Sequence, residues 1–406
     1  MFFAVFLWLL SWGAMFTGIY NVQSKTFLNN VFTFFQGARA FLPVLAVYLC
    51  LIWILATRPK FPFIKNPIGF LYAYSIVGIL TSVFLSPEKM ISLYWVGVYL
   101  APLLVVWVAM ERKDCVGCLR LLIYVNYAIF FLVTCSLFPE SLGAGWGHVT
   151  RFQFYSLPFN LGQIRSNGAA RFALVVIIVS AVRLLVLEKK RRFLWLLFLP
   201  PTLFLLTQTQ SRTSLMGLAV TSMLFVLLRG IDWRYIFIGP VAAFVVWISG
   251  IKWRAHGQFS SLIFLTGREL TWQKALEQIK NSPFLGWGFH GDRILLQSEH
   301  MHNSYLHALI HGGIVGAVFF LAAIAGIWIH ILRSGLFRRV REMKGADQAL
   351  VIESILIIGF LSARSLFEST AAFYGVDLFL LIPAMAYVSF TAWDNPEDSE
   401  GQGEAP

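Results

Sequence analysis

Apolar residues come in long runs separated by short polar breaks. Twelve runs predict membrane-spanning helices, near 2–20, 40–56, 67–85, 91–110, 119–138, 170–187, 192–207, 213–228, 235–251, 309–332, 349–363 and 374–392. A spanning helix needs about 20 largely apolar residues, because the bilayer interior offers no partner to a bare backbone N–H or C=O. The pattern predicts an all-α polytopic membrane protein of about twelve spans, with 1–393 as a single transmembrane domain. The first run has no basic segment ahead of it and no small-residue cleavage signature, so it reads as a retained span. The acidic, Gly-rich segment 394–406 is too poor in apolar residues to fold and reads as a disordered tail.

An even number of spans puts both termini on one side, and the charge of the connections decides which. The segments 58–65, 112–120, 183–192, 229–234 and 333–344 fall on one face and carry 18 of the 32 Lys and Arg. Lysine and arginine accumulate in cytoplasmic loops, so that face and both termini are predicted to be cytoplasmic. On the opposite face two connections are long, about 139–169 and 252–308. Long loops in compact domains are usually functional or disordered. Within the second, Thr266 and Glu269 form a capping box, and Trp272, Ala275, Leu276 and Ile279 fall on one face at helical spacing. That predicts a helix of about 14 residues, too short to cross a bilayer, stopped by Asn281-Ser282-Pro283 and lying on the membrane surface or over the bundle. Its first residues, Gly267 and Arg268, sit where free N–H groups and the helix dipole favour an anion.

Composition agrees: 58% of the residues are hydrophobic and only 13% charged. A formal charge of +12 would suggest nucleic acid in a soluble domain, but here the cations sit in short blocks between apolar runs, so no nucleic acid partner is implied. Cys50, Cys115, Cys118 and Cys135 are too few for a disulfide scaffold, and the single Cys115-x-x-Cys118 lacks the second pair that tetrahedral zinc needs.

Fourteen cations remain on the extracytoplasmic side, where topology does not call for them. Arg212 lies in the polar knot Gln208-Thr209-Gln210-Ser211-Arg212-Thr213, between two spans with almost no loop. A charge at membrane depth costs several kcal/mol unless paired or hydrated, which marks it as functional. Arg39, Arg165, Arg171 and Arg364 stand at similar boundaries, and together these arginines describe a site for a multiply charged anion. The planar guanidinium binds two phosphate oxygens at once and keeps its charge.

The densest polar stretch runs from Gly286-Trp287-Gly288-Phe289-His290-Gly291-Asp292 to His300-Met301-His302-Asn303-Ser304-Tyr305. Its G-x-G-x-x-G letters have no strand before them, which excludes a dinucleotide fold. His307 and His311 have metalloprotease spacing, but Ala308 stands where the catalytic glutamate would be. His300, His302, His307 and His311 leave a structural metal open. Otherwise His302, just ahead of the tenth span beside Asn303, is placed to take a proton at head-group depth.

Ser211-Arg212 before a span, Gly267-Arg268 opening a loop helix, Gly286-x-Gly288-Phe289, and His302-Asn303-x-x-Leu306 leading into Gly312-Gly313-Ile314-Val315-Gly316 come in an order that resembles the O-antigen ligase and polymerase superfamily. The resemblance implies a GT-C-like, inverting glycosyltransferase of the bacterial inner membrane that uses an undecaprenyl diphosphate-linked glycan as donor and works at the periplasmic face. It implies that Arg212 and Arg268 bind the diphosphate and that His302 activates the acceptor hydroxyl. Arg39, Arg165 and Arg171 join the diphosphate site on physical grounds, with Asn303, Gly288, Gln210 and Arg364 in support. Metal-dependent relatives of the wider fold keep an acid in the first outer loop; residues 20–39 contain none, so neither metal nor other cofactor is expected. The resemblance favours a ligase acting on a lipid A-core sugar. A polymerase using a second lipid-linked glycan would need the same residues, and a twelve-span transporter is the alternative from another class.

Overall fold

A computed structural model describes residues 1–13, 38–59, 66–144, 149–156, 159–187, 189–231, 268–297 and 299–393. The run 235–251, Thr266, Gly267 and the tail 394–406 lie outside the described residues. Among the described residues six helices are long and apolar enough to cross a membrane: α4 (Lys89–Met110), α5 (Cys115–Gly143), α6 (Ser166–Val186), α8 (Arg212–Arg229), α11 (Ser304–Arg333) and α13 (Gly345–Arg364). Shorter apolar helices α1 (Phe2–Trp12), α2 (Leu42–Thr57), α3 (Gly69–Phe84) and α14 (Val376–Trp393), together with α7 (Lys189–Thr209), fill the bundle. Eleven of the twelve predicted runs thus fall on helices.

The long connection expected near 139–169 is more ordered than a loop. Helix α5 runs through Pro139 to Gly143, and an antiparallel hairpin follows, β1 (Arg151–Ser156) with β2 (Phe159–Arg165), the one sheet among the described residues. Strand β2 passes directly into α6, with Arg165 as its extended N-cap residue.

The basic connections meet at one end of the bundle. Arg183 pairs with the buried Glu353 at 2.7 Å, and Arg120 with Asp347 at 2.9 Å. From the short helix α12 (Leu336–Glu342), Arg341 donates to the carbonyls of Leu227 and Leu228 at the end of α8, and Arg339 to those of Thr391 and Ala392 at the end of α14. Cations there satisfy the last carbonyls of a helix and oppose the negative end of its dipole.

At the other end lies a break in α11. Gly313 has φ 59° and ψ −159°, far from helical values, so the helix turns there and its ladder is interrupted. Backbone groups freed in an apolar bundle need partners. The segment after helix α9 (Arg268–Asn281) supplies them: Trp287 N–H donates to Ile310 O at 2.7 Å and Gly288 N–H to His311 O at 2.9 Å. In return Ile314 N–H donates to Pro283 O at 2.8 Å and Val315 N–H to Phe284 O at 3.2 Å. The approach requires glycine on both sides, since a Cβ on Gly286 would meet Ile310 O at 2.5 Å and one on Gly313 would meet Phe284 C at 2.2 Å. Gly288, at φ 84°, then sends Phe289 into a slot over Gly78. Helix α9 has the 14 residues expected and lies over the first half of α11, burying Ala275 and Ile279 with Met301 and Ile310, while Leu276 stays exposed.

Gly313→Ala is expected to destabilise the protein by about 2–4 kcal/mol, through both the positive φ and the collision. Gly97→Ala, in α4 with nothing within 4 Å of its added methyl, should be neutral or stabilising. Thermal unfolding of the two variants in one detergent measures the difference.

Candidate active site

The organising group is Glu368, in the short connection between α13 and α14. One carboxylate oxygen receives Arg268 Nη2 at 3.1 Å and Asn167 Nδ2 at 3.3 Å; the other lies 2.8 Å from His302 Nδ1. Arg268 also donates to the carbonyl of Phe367. The cluster is held by its backbone. Ser304 Oγ donates to the carbonyls of Glu368 and Thr370, and Asn303 caps α11 by accepting from Tyr305 and Leu306 N–H while its amide donates to Leu366 O at 3.0 Å. His302 is thereby fixed at φ 49°, a left-handed backbone that costs roughly 1 kcal/mol or more and recurs at functional sites. Burial alone would raise the Glu368 carboxyl, but the hydrogen bond with His302 and the charges of Arg364 and Arg268 prevail and bring it down to about 2.

A second carboxylate, Asp377, lies between Arg171 (3.1 Å) and Arg364 (3.4 Å). Arg171 reaches inward from the first turns of α6 and Arg364 from the last turn of α13. Arg171 opens toward a cavity of about 500 Å³, lined also by Arg39, Arg293, Tyr94, Trp95, Phe373 and Tyr374, while Arg364 stays buried behind Asp377. The histidines His290, His300, His307 and His311 and the carboxylate of Asp292 complete its wall. His290 stacks on Trp95 with centroids 4.7 Å apart, and His300 stacks on His302 at 4.6 Å, which joins the Glu368 cluster to the cavity. Burial, then the neighbouring His302 and Arg293, lowers His300 to about 4, so it is neutral at pH 7.

Charge is unbalanced in this region. Five guanidinium groups, Arg39, Arg171, Arg268, Arg293 and Arg364, face three carboxylates, Asp292, Glu368 and Asp377, among the described residues. A dianion would neutralise the excess of two.

The sequence-selected residues divide accordingly. His302, Arg268 and Asn303 meet in the Glu368 cluster; Arg39, Arg171 and Arg364 meet at or behind the cavity. Arg165 is exposed at the end of the hairpin, opposite Arg151 in register, and its neighbour Asn167 makes the contact to Glu368. Gly288 shapes the loop that carries the cavity residues. Gln210, at φ 46°, forms the break between α7 and α8, so that Arg212 becomes the first residue of α8. Gly217 of α8 lies against Phe360 of α13 and Leu174 of α6, and Arg212, Arg364 and Arg171 stand five, four and three residues from that layer, all toward this end. Arg212 is thus on the same side of the bundle, while neither the cavity lining nor the described Glu368 contacts include it. The sequence by itself assigns no role to Glu368, Asp377, Asn167 or Asp292. Two carboxylates at the ends of spans on the side without basic loops, Glu368 just after α13 and Asp377 in the first turn of α14, are the available signal.

Residues 197–321 match the family model described as O-antigen ligase, a stretch that includes Arg212, Arg268, Gly288, His302 and Asn303. No curated protein matches the chain.

A carboxyl lowered on folding stabilises the native state above its unfolded pKa, and that contribution is lost as pH falls through the folded value. For Glu368 the window runs from about 4.5 down to about 2 and carries on the order of 3 kcal/mol. Glu368→Gln should therefore lose stability at neutral pH and show a flatter decline than wild type between pH 5 and 2, measured by thermal unfolding across that range.

Proposed function

From the membership of this membrane protein in the O-antigen ligase superfamily, carried by residues 197–321, we propose that it transfers a glycan from undecaprenyl diphosphate to a hydroxyl of a lipid A-core sugar. On this reading the cavity opens at the periplasmic face of the bacterial inner membrane. The gathering of basic connections at the opposite end supports that orientation, with the termini cytoplasmic.

The observation that carries the reading is one buried carboxylate holding an imidazole and a guanidinium side by side, next to a cavity with excess positive charge. Glu368 accepts the Nδ1–H of His302, which fixes the tautomer whose lone pair is on Nε2. As the acceptor oxygen bonds to the anomeric carbon of the donor, its proton passes to Nε2. The bond from that carbon to the diphosphate oxygen breaks, and the lipid diphosphate leaves from the opposite face with the electron pair, inverting the configuration. Negative charge grows on the leaving group. Guanidinium groups already oriented by Asp377 and Glu368 stabilise it without reorganising. Arg212 joins them from the head of α8, and the diphosphate needs no divalent ion. The aromatic wall of Tyr94, Trp95, Phe373 and Tyr374 suits the apolar faces of sugar rings.

Purified protein, chelator-treated and without nucleotide, is expected to move labelled glycan from undecaprenyl diphosphate to lipid A-core. His302→Ala should lower turnover by about 10²–10⁴-fold. Arg268→Lys and Arg212→Lys, which keep charge and lose the planar fork, should each cost about a hundredfold or more. Label appearing on a second lipid-linked glycan instead would make the enzyme a polymerase; label crossing the bilayer without a new glycosidic bond would make it a transporter and end the proposal.

A further inference from the structure

The inner wall of the cavity carries a group that neither the diphosphate site nor the His302 base uses. Asp292 comes from the short helix α10 (Gly291–Leu295), His300 from the segment leading to α11, and His307 from the first turns of α11. One donor atom from each of the three lies within 4.8 Å of the others. His307 is 2% exposed, and neither ring nitrogen has a hydrogen-bond partner among the described residues; Asp292 Oδ2 is likewise buried without one. A buried imidazole with two orphan nitrogens beside an orphan carboxylate oxygen is costly unless something sits between them.

The spacing says what. His307 Nδ1 lies 3.7 Å from Asp292 Oδ2, too far for a hydrogen bond. Two ligands about 2.0–2.1 Å from a tetrahedral ion stand about 3.4 Å apart, close to that separation. The surrounding contacts orient the rings as the outer partners of metal ligands do. Ser369 Oγ lies 3.3 Å from His300 Nδ1, which leaves Nε2 to face the group. His311, whose Nδ1 meets Tyr74 Oη at 3.1 Å, holds the other Asp292 oxygen through Nε2 at 3.5 Å. Arg293 Nε, 3.6 Å from Asp292 Oδ2, belongs to a side chain one-third exposed that can turn toward the cavity mouth.

We propose that Asp292, His300 and His307 form a binding site for a borderline divalent cation of the Zn²⁺ class, with a fourth position open to the cavity. Two nitrogens and one oxygen suit zinc rather than the all-oxygen shells of Mg²⁺ or Ca²⁺. The ion pins the 290–302 segment to α11 and is independent of the diphosphate chemistry, which the arginines serve without metal.

The test is equilibrium dialysis of the full-length protein in detergent against Zn²⁺ after chelator treatment, with Co²⁺ absorption as a second readout. About one equivalent of zinc should bind, and Co²⁺ should give the intense visible bands of a four-coordinate site. His307→Ala and Asp292→Asn should each weaken zinc binding by at least about tenfold, whereas His330→Ala, at the far end of α11, and Arg268→Lys should leave it unchanged. Binding below one-tenth of an equivalent in wild type, or equal binding in the His307 and Asp292 variants, overturns the site. Zinc binding without glycan transfer would sink the proposed function alone, and transfer without zinc binding would sink the metal site alone.

Discussion

Two backbones meet at Gly313, and the rest of the site depends on that meeting. A helix inside an apolar bundle keeps its N–H and C=O groups paired by remaining a helix, and breaking it exposes groups that no solvent can satisfy. Here the break in α11 is matched by the turn at 283–288, which exchanges four hydrogen bonds with residues 310–315. Each side makes the other tolerable. The pairing fixes the loop carrying Phe289, His290 and Asp292, and it sets the position of the first half of α11, which begins at Ser304, two residues after His302. Phe289 locks the arrangement from the side: its ring fills the slot above Gly78 and stacks on His311 at 4.8 Å.

Glu368 is the electrostatic counterpart of that mechanical junction. Arg268 and His302 come from different segments, and neither would hold its place in a water-filled cleft without a fixed partner. A carboxylate held near pKa 2 stays ionised at any pH the cell meets, so it orients both groups permanently. Pairing does not exhaust the cations. A guanidinium carries five donors in a planar fork, and a single carboxylate uses two at most. Asp377, shared by Arg171 and Arg364, leaves donors of Arg171 for a ligand in the cavity, with the charge of Arg364 behind it. The carboxylates thus align the positive charge without cancelling it.

What was legible in the sequence was whatever the chain expresses locally. Runs of apolar residues marked eleven helices, and the capping and stop signals around Arg268 and Pro283 gave the length of α9. Arg268, His302 and Asn303 were legible as a family pattern, Arg39 and Arg171 as charges stranded at apolar boundaries. Glu368 was not. Its partners lie 66, 100 and 201 residues away, so no window around it shows a role, and beside a span it reads as an ordinary boundary acid. The hairpin at 151–165 escaped for the same reason: its identity rests on cross-strand pairing rather than periodicity. The two glycine clusters stand apart in the sequence, at Gly286-x-Gly288 and at Gly312-Gly313. That each exists to admit the backbone of the other is a property of the fold.

The size of the cavity limits what the proposed transfer can read. About 500 Å³ lies within the range of roughly 300–1,000 Å³ that suits a compact organic ligand. That is room for a diphosphate and the sugar attached to it, and a polysaccharide must trail outside. Recognition on this reading is confined to the head group: guanidinium groups for the two phosphates, aromatic rings for the first sugar, one imidazole for the incoming hydroxyl. A site built this way is indifferent to the length of the glycan behind the first residue. The same geometry therefore serves addition of a finished chain or of a single repeat, and the choice between them falls to the surfaces that meet the acceptor outside the cavity.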